Sequence, residues 1–333
     1  MEYSRILRRA WEVTWRYKAL WVFGILVALF SGGAGGGGSP GRGPNVQLGG
    51  LREPPLGDFI WPFDLARVIA AALVIALAVM FVLLFLALIG AVLRYLSTVA
   101  LVRMVDEYDE TGQRRSVGEG FRLGWSVRAL RVFAIDLVIG IPVAVLFLVL
   151  VFLALSPLLL WATGSEEAGI FGTIVTLGLV LVLVLFGVLV AVALSLLKPF
   201  FYRKAILQDV GVFVAIGEGY HMVRRHFRHA STMWLIVIGI AIAYSLALVP
   251  VAIALVLLAM LVGGGSGLVL GWLVSLFLGG AAPWLAGAVA GLPICRVLTV
   301  VPLTAASGLF EVFRSAVWTL TYRELLALEA RGG

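Results

Sequence analysis

Two ionisable residues sit inside long apolar stretches of this chain, Asp136 and Arg296. A charge held in lipid costs several kcal/mol, so such residues usually face a bundle interior and carry a function or a pairing. Arg296 falls 12 residues after Trp284, about 18 Å along a helix. Asp136 falls about seven residues into its own apolar stretch, at roughly 10 Å. Measured from the same side, both lie at about 10–12 Å, and an intramembrane Asp136–Arg296 pair is expected. A structural pair, two residues snorkelling independently and a transport role all remain open at this point.

Other groups promise less chemistry. His221, His226 and His229 are the only histidines, and spacings of five and three do not bring all three to one helical face. Arg224, Arg225 and Arg228 surround them and disfavour a cation, so no metal site is expected. Asp106-Glu-Tyr-Asp-Glu110, followed by Arg114-Arg115, reads as a solvated turn. The glycines of Gly32-Gly-Ala-Gly-Gly-Gly-Gly-Ser-Pro lack the strand, helix and Lys-Ser/Thr of a phosphate loop and read as a flexible linker. Cys295 stands alone in an apolar context, a buried thiol without disulfide or metal partners. No nucleophile–base pair or carboxylate dyad emerges, so neither an enzyme nor a cofactor is expected.

Membrane spans must position these residues. Hydrophobic residues make up 62% of the 333 and charged ones 13%, far from the roughly even balance of soluble domains. Runs of 26, 28 and 65 residues carry no charge, at Val68–Leu93, Ile170–Leu197 and Ser231–Cys295. About 20 apolar residues cross a bilayer as helix, and these runs do not alternate as barrel strands do. The net charge of +7 lies beside the apolar runs, which points to anionic lipid headgroups rather than nucleic acid.

An internal repeat organises the spans. Gly118-Glu-Gly-Phe121 matches Gly217-Glu-Gly-Tyr220, and Val138-Ile-Gly-Ile141 matches Val237-Ile-Gly-Ile240, at one offset of 99. The expected fold is all-α: a polytopic transmembrane bundle of six spans in three pseudo-repeated hairpins, within a single domain over 1–333. The repeats cover about 1–105, 116–210 and 212–326. The hairpins pair ~15–33 with ~65–94 across a Gly-rich outer loop at about 32–57, ~130–162 with ~169–197, and ~232–262 with ~284–310. The first span is expected to stay uncleaved, although its charged start and short apolar run resemble a signal peptide. The apolar piece 268–278 is too short to span and reads as re-entrant.

A cytoplasmic amphipathic interfacial helix is expected before each hairpin. Its arginines would contact headgroups: Arg5, Arg8, Arg9 and Arg16 in the first, Arg122 and Arg128 in the second, Arg224, Arg225 and Arg228 in the third. Packing of these helices on the bundle itself is the equal alternative. Segments 1–18, 94–131, 198–228 and 296–333 share one side and hold 22 of the 25 Lys and Arg. The positive-inside rule makes that side cytoplasmic, with both termini in the cytoplasm.

Gly217-Glu-Gly-Tyr220 with Arg224-Arg225, and the C-terminal Trp318-Thr-Leu-Thr-Tyr-Arg-Glu-Leu325, resemble a group of uncharacterised bacterial six-span proteins. That group is similar to the membrane domain accompanying some glycerophosphodiester phosphodiesterases. The catalytic barrel has no counterpart in this chain, so the resemblance implies a bacterial plasma-membrane protein without that activity. The expectation is a non-enzymatic accessory or scaffold protein that engages anionic lipid, and either a protein partner or a second copy. A small-solute or lipid transporter or channel is the alternative.

Overall fold

A computed structural model describes residues 2–30, 65–277, 279–280 and 282–332, and their regular structure is helical throughout. The elements are α1 (Tyr3–Arg16), α2 (Ala19–Phe30), α3 (Leu65–Thr111), α4 (Val117–Gly124), α5 (Val127–Leu155), α6 (Glu166–Leu207), α7 (Val212–Arg225), α8 (Phe227–Ala259), α9 (Gly265–Ser275) and α10 (Ala282–Gly332). A 3₁₀ segment, Ser156–Thr163, extends α5, and a π turn, Met260–Gly264, joins α8 to α9. A short helix followed by a helical hairpin thus occurs three times in chain order. Five helices are long and apolar enough to cross a bilayer, or six if α1 and α2 together count as one broken span.

The sixth span is the first departure from expectation. Trp15 belongs to α1, and the chain turns by 99° before α2 begins. Trp21 holds the turn by donating its indole N–H to the Thr14 carbonyl at 2.7 Å, one of the orphan acceptors at the end of α1. Twelve residues of α2 reach only about 18 Å, against a hydrocarbon core of about 30 Å. The Gly-rich loop expected at 32–57 lies outside the described residues.

The piece expected to be re-entrant is the second departure. Phe227–Ser275 runs as one helix of 49 residues. Its far half lies against the start of α10 along a glycine seam. A Cβ at Gly267 would stand 2.7 Å from the Gly287 carbonyl oxygen, and one at Gly291 would stand 2.5 Å from the Gly263 carbonyl oxygen. Only hydrogen fits there, which lets the two backbones touch. Cys295 closes the seam, its thiol 3.1 Å from the Ala259 carbonyl.

Burial concentrates at one end. Tyr17, Leu20, Phe23, Met104, Val105, Val312, Ala316 and Val317 belong to its largest cluster, and Phe200, Met222, Trp318 and Tyr322 to a second. The short helices pack there: α1 on α10, α4 on α3 and α7 on α6. Gly120 and Gly219, matched in sequence at the offset of 99, each leave room for an aromatic ring. A Cβ would meet the Phe23 ring at 2.6 Å in one case and the Phe201 ring at 2.7 Å in the other. Away from this base and the glycine seam, the outer sides of the hairpins are bare, and the most apolar stretches of α3 and α6 bury no residue.

Exposed tryptophans mark two levels, Trp11 and Trp15 beside Phe313 at the base and Trp272 and Trp284 near the far tips. Trp284 and Phe313 stand 29 residues apart on α10, about 44 Å, which matches a bilayer with its headgroups at about 40–45 Å.

Candidate functional site

Asp136 lies on α5 near the base, where α3 and α6 converge on it. Its Oδ1 accepts from the Lys198 ammonium at 2.7 Å and the Tyr202 hydroxyl at 2.5 Å, and its Oδ2 accepts from Tyr95 at 3.0 Å. One carboxylate on α5 is thus tied to two other helices, α3 and α6, by a formal ion pair and two hydroxyls. Lys198 and Tyr202 are one helical turn apart on α6, a spacing that places both side chains on one face. That i,i+4 pair, immediately after the charge-free run, was the sequence signal for this cluster.

Arg296 is elsewhere, and the expected Asp136–Arg296 pair does not form. Arg296 is exposed on α10, about 18 Å from the level of Trp284 and about 26 Å from that of Phe313. It lines no shared cavity with Asp136, and among the described residues it meets no carboxylate. The expected match in depth fails as well: Asp136 lies near the base, whereas Arg296 lies near mid-span of α10, and depth counting also contained nothing about rotation. Lys198 stood nearer Asp136 all along, one helix away.

The acidic run is not a solvated turn. It forms the last turns of α3 and receives arginines from three directions. Arg9 of α1 reaches Asp109 at 3.2 Å, Arg115 reaches Glu107 at 2.6 Å, and Arg323 of α10 reaches Asp106 and Glu110, with Asp109 at 3.8 Å. The C-terminal motif is therefore structural: Trp318, Thr319, Thr321, Tyr322 and Leu325 are buried around the arginine that pins α10 to α3.

Several arginines expected at headgroups have partners in the protein. Arg9 is taken by Asp109 and lies 5.9 Å from the Tyr108 ring. Arg128, together with Arg131, holds Asp209, whose carboxyl the hydrogen bond from Arg128 keeps below the usual carboxylate range. Asp209 sits at φ 57°, a left-handed turn that ends the α6 segment. Arg225 approaches Glu329 at 3.6 Å. Arg5 and Arg8 are exposed and meet only Glu2 and Glu12 of their own segment, at 2.8 and 3.6 Å. Arg16, Arg122, Arg224 and Arg228 are exposed.

The apolar face of α1 packs on the protein: Ile6, Ala10, Val13 and Tyr17 are buried among residues of α3 and α10. α4 opens with a full capping box. Ser116 accepts from the Glu119 amide, and Glu119 accepts from the Ser116 amide at 2.7 Å, which holds the Glu119 carboxyl below its ordinary range. The histidines serve separate contacts: His229 meets the Tyr3 hydroxyl at 2.9 Å, and His226 faces Glu329 at 3.8 Å. His221 borders a 180 Å³ crevice with Lys204, Glu218 and Arg225. No group of acidic, His and Cys side chains able to hold a metal occurs among the described residues.

Arg203 is fully buried between α6 and α10. It donates to the Pro199 carbonyl at 2.8 Å and the Ser315 carbonyl at 3.0 Å. A cation used this way serves as a bolt between helices rather than as a reagent.

Long apolar helices rooted in a charged base define a multi-pass α-helical membrane protein. Residues 8–323 match DUF7544, a family of unknown function, and the chain belongs to that family. No curated protein and no solved structure matches it. Nothing in these matches links it to glycerophosphodiester phosphodiesterases.

Proposed function

We propose that this protein is a non-enzymatic accessory or scaffold protein of the bacterial plasma membrane, with both termini cytoplasmic. The observation that carries this reading is the division of the fold. Titratable side chains are spent on holding the base together, while the hairpins offer bare apolar sides. A transporter needs a polar route between spans, and the one charge near mid-bilayer among the described residues, Arg296, faces outward instead. The three short-helix-plus-hairpin units are proposed to be pseudo-repeats of about 1–105, 116–210 and 212–326. Their amphipathic helices seal the base and turn Arg5, Arg8, Arg16, Arg122, Arg224 and Arg228 toward anionic headgroups. The bare hairpin sides would receive a protein partner or a second copy.

Vesicle reconstitution tests this function. Protein in phosphatidylglycerol-rich vesicles should show neither solute release nor lipid scrambling above protein-free vesicles; protein-dependent flux would instead establish the transporter reading. Replacing Arg5, Arg8, Arg16, Arg224 and Arg228 with Gln should lower the enrichment of anionic lipid around the protein, at about 1 kcal/mol per charge near the surface. Unchanged enrichment would remove the headgroup role.

The orientation has its own test. With Cys295 replaced by Ala, cysteines at Ser165 and Gly279 should react with an impermeant thiol reagent added to intact cells. Those at Gln113 and Ala330 should react only after lysis. External labelling of Ala330→Cys would place the base outside.

A further inference from the structure

A crevice of 310 Å³ opens sideways where the end of α2 crosses α3. Leu29, Phe30 and Leu86 make its apolar walls, Gly90 lies under the Phe30 ring, and Arg94 and Tyr95 close the end nearest the base. Arg94 is half-buried, with its guanidinium 5.7 Å from the Tyr95 ring centroid. The neighbouring carboxylate is not available to it. Asp136 already accepts from Lys198, Tyr202 and Tyr95, so the cluster is neutral without Arg94. Among the described residues Arg94 forms no ion pair, and the crevice retains one positive charge.

Its depth is informative. Gly24 of α2 meets Gly308 of α10, and Phe30 lies six residues farther out, about 9 Å, over Gly90. Arg94 is one turn back from Gly90, which places it about 10 Å from the level of Trp11 and Phe313. That is close to the boundary between headgroups and hydrocarbon. Leu86 lies eight residues outward of Arg94, about 12 Å, most of a leaflet of about 15 Å.

We infer that the crevice binds one anionic phospholipid of the leaflet at the base, its phosphate on Arg94 and one acyl chain between Leu29, Phe30 and Leu86. A cation at headgroup depth, an apolar slot running outward from it and an opening toward the bilayer together fit that one occupant. The site depends on the membrane reading of the chain and is independent of whether the protein is a scaffold.

Native mass spectrometry of the detergent-solubilised full chain, titrated with phosphatidylglycerol or phosphatidylcholine, tests it. Wild type should retain one phosphatidylglycerol more tightly than later additions and more tightly than phosphatidylcholine. Arg94→Gln should weaken that first binding about five-fold, the effect of one surface charge, while Arg94→Lys should keep most of it. Ala87→Phe, which fills the slot and leaves Arg94 in place, should remove the tight lipid and serves if Arg94→Gln does not fold. Equal first binding by wild type and Arg94→Gln would overturn the proposal. So would equal retention of the two lipids, or displacement by millimolar inorganic phosphate, which would mean a simple anion site. Loss in the surface-arginine variant with no loss in Arg94→Gln or Ala87→Phe would assign the lipid to the base and equally overturn it.

Discussion

Gly291→Leu should part the α9–α10 hairpin. The new side chain would start 2.5 Å from the Gly263 carbonyl oxygen and 3.3 Å from the Gly267 Cα. Both obstacles are backbone, so no rotamer change relieves them, and the helices must separate along the whole seam. Overpacking commonly costs about 1–3 kcal/mol, and a backbone obstacle places this variant at or above about 3 kcal/mol. In lipid the loss is not recovered by hydrophobic burial elsewhere, because close packing is itself what holds such helices together. Gly239→Leu is the control, since a Cβ there meets nothing within 4 Å. Unfolding in detergent, followed by tryptophan fluorescence, should show a large loss for Gly291→Leu and little change for Gly239→Leu. Equal transitions would mean that the seam does not hold the hairpin.

Asp136→Leu and Lys198→Met should each destabilise the protein by about 3 kcal/mol, because each strands the opposite charge among apolar helices. Lys198 is a third exposed at its side chain, which places the cost toward the lower end of the range for buried pairs. The double variant removes both charges and should recover much of the loss. The same cycle run with Arg296→Gln in place of Lys198→Met should be additive, since the two residues share no contact. Coupling with Arg296, or additivity with Lys198, would contradict the observed geometry.

How much of this was legible in the sequence depends on which physical signal each part rests on. The middle hairpin was readable, 130–162 and 169–197 against the observed α5 with its 3₁₀ extension and α6, because uninterrupted apolar length is a direct consequence of bilayer thickness. The gathering of positive charge at one end was equally direct. Glycine misled in one place and informed in another. Gly263, Gly267 and Gly271 fell between the two expected arms of the third hairpin, yet their spacing of four, mirrored by Gly287, Gly291 and Cys295, is that of two backbones pressed together. The repeated Gly120 and Gly219 mark a real steric requirement. Lys198 and the arginines that neutralise Asp106, Glu107, Asp109 and Glu110 depend on which helices become neighbours, and a single chain read in order carries no direct record of that.

The concentration of packing at the base has a mechanical consequence. The middle hairpin, α5–α6, is fixed at the base and bare beyond it, free to tilt against the other two, which α2 and α10 lock together. A change in bilayer thickness is then absorbed by tilt of that hairpin at a fraction of a kcal/mol per ångström. The arginine–carboxylate knot and the aromatic base need not rearrange. Membrane thickness would thus be converted into the spacing of the hairpin tips, while the charged base keeps one shape.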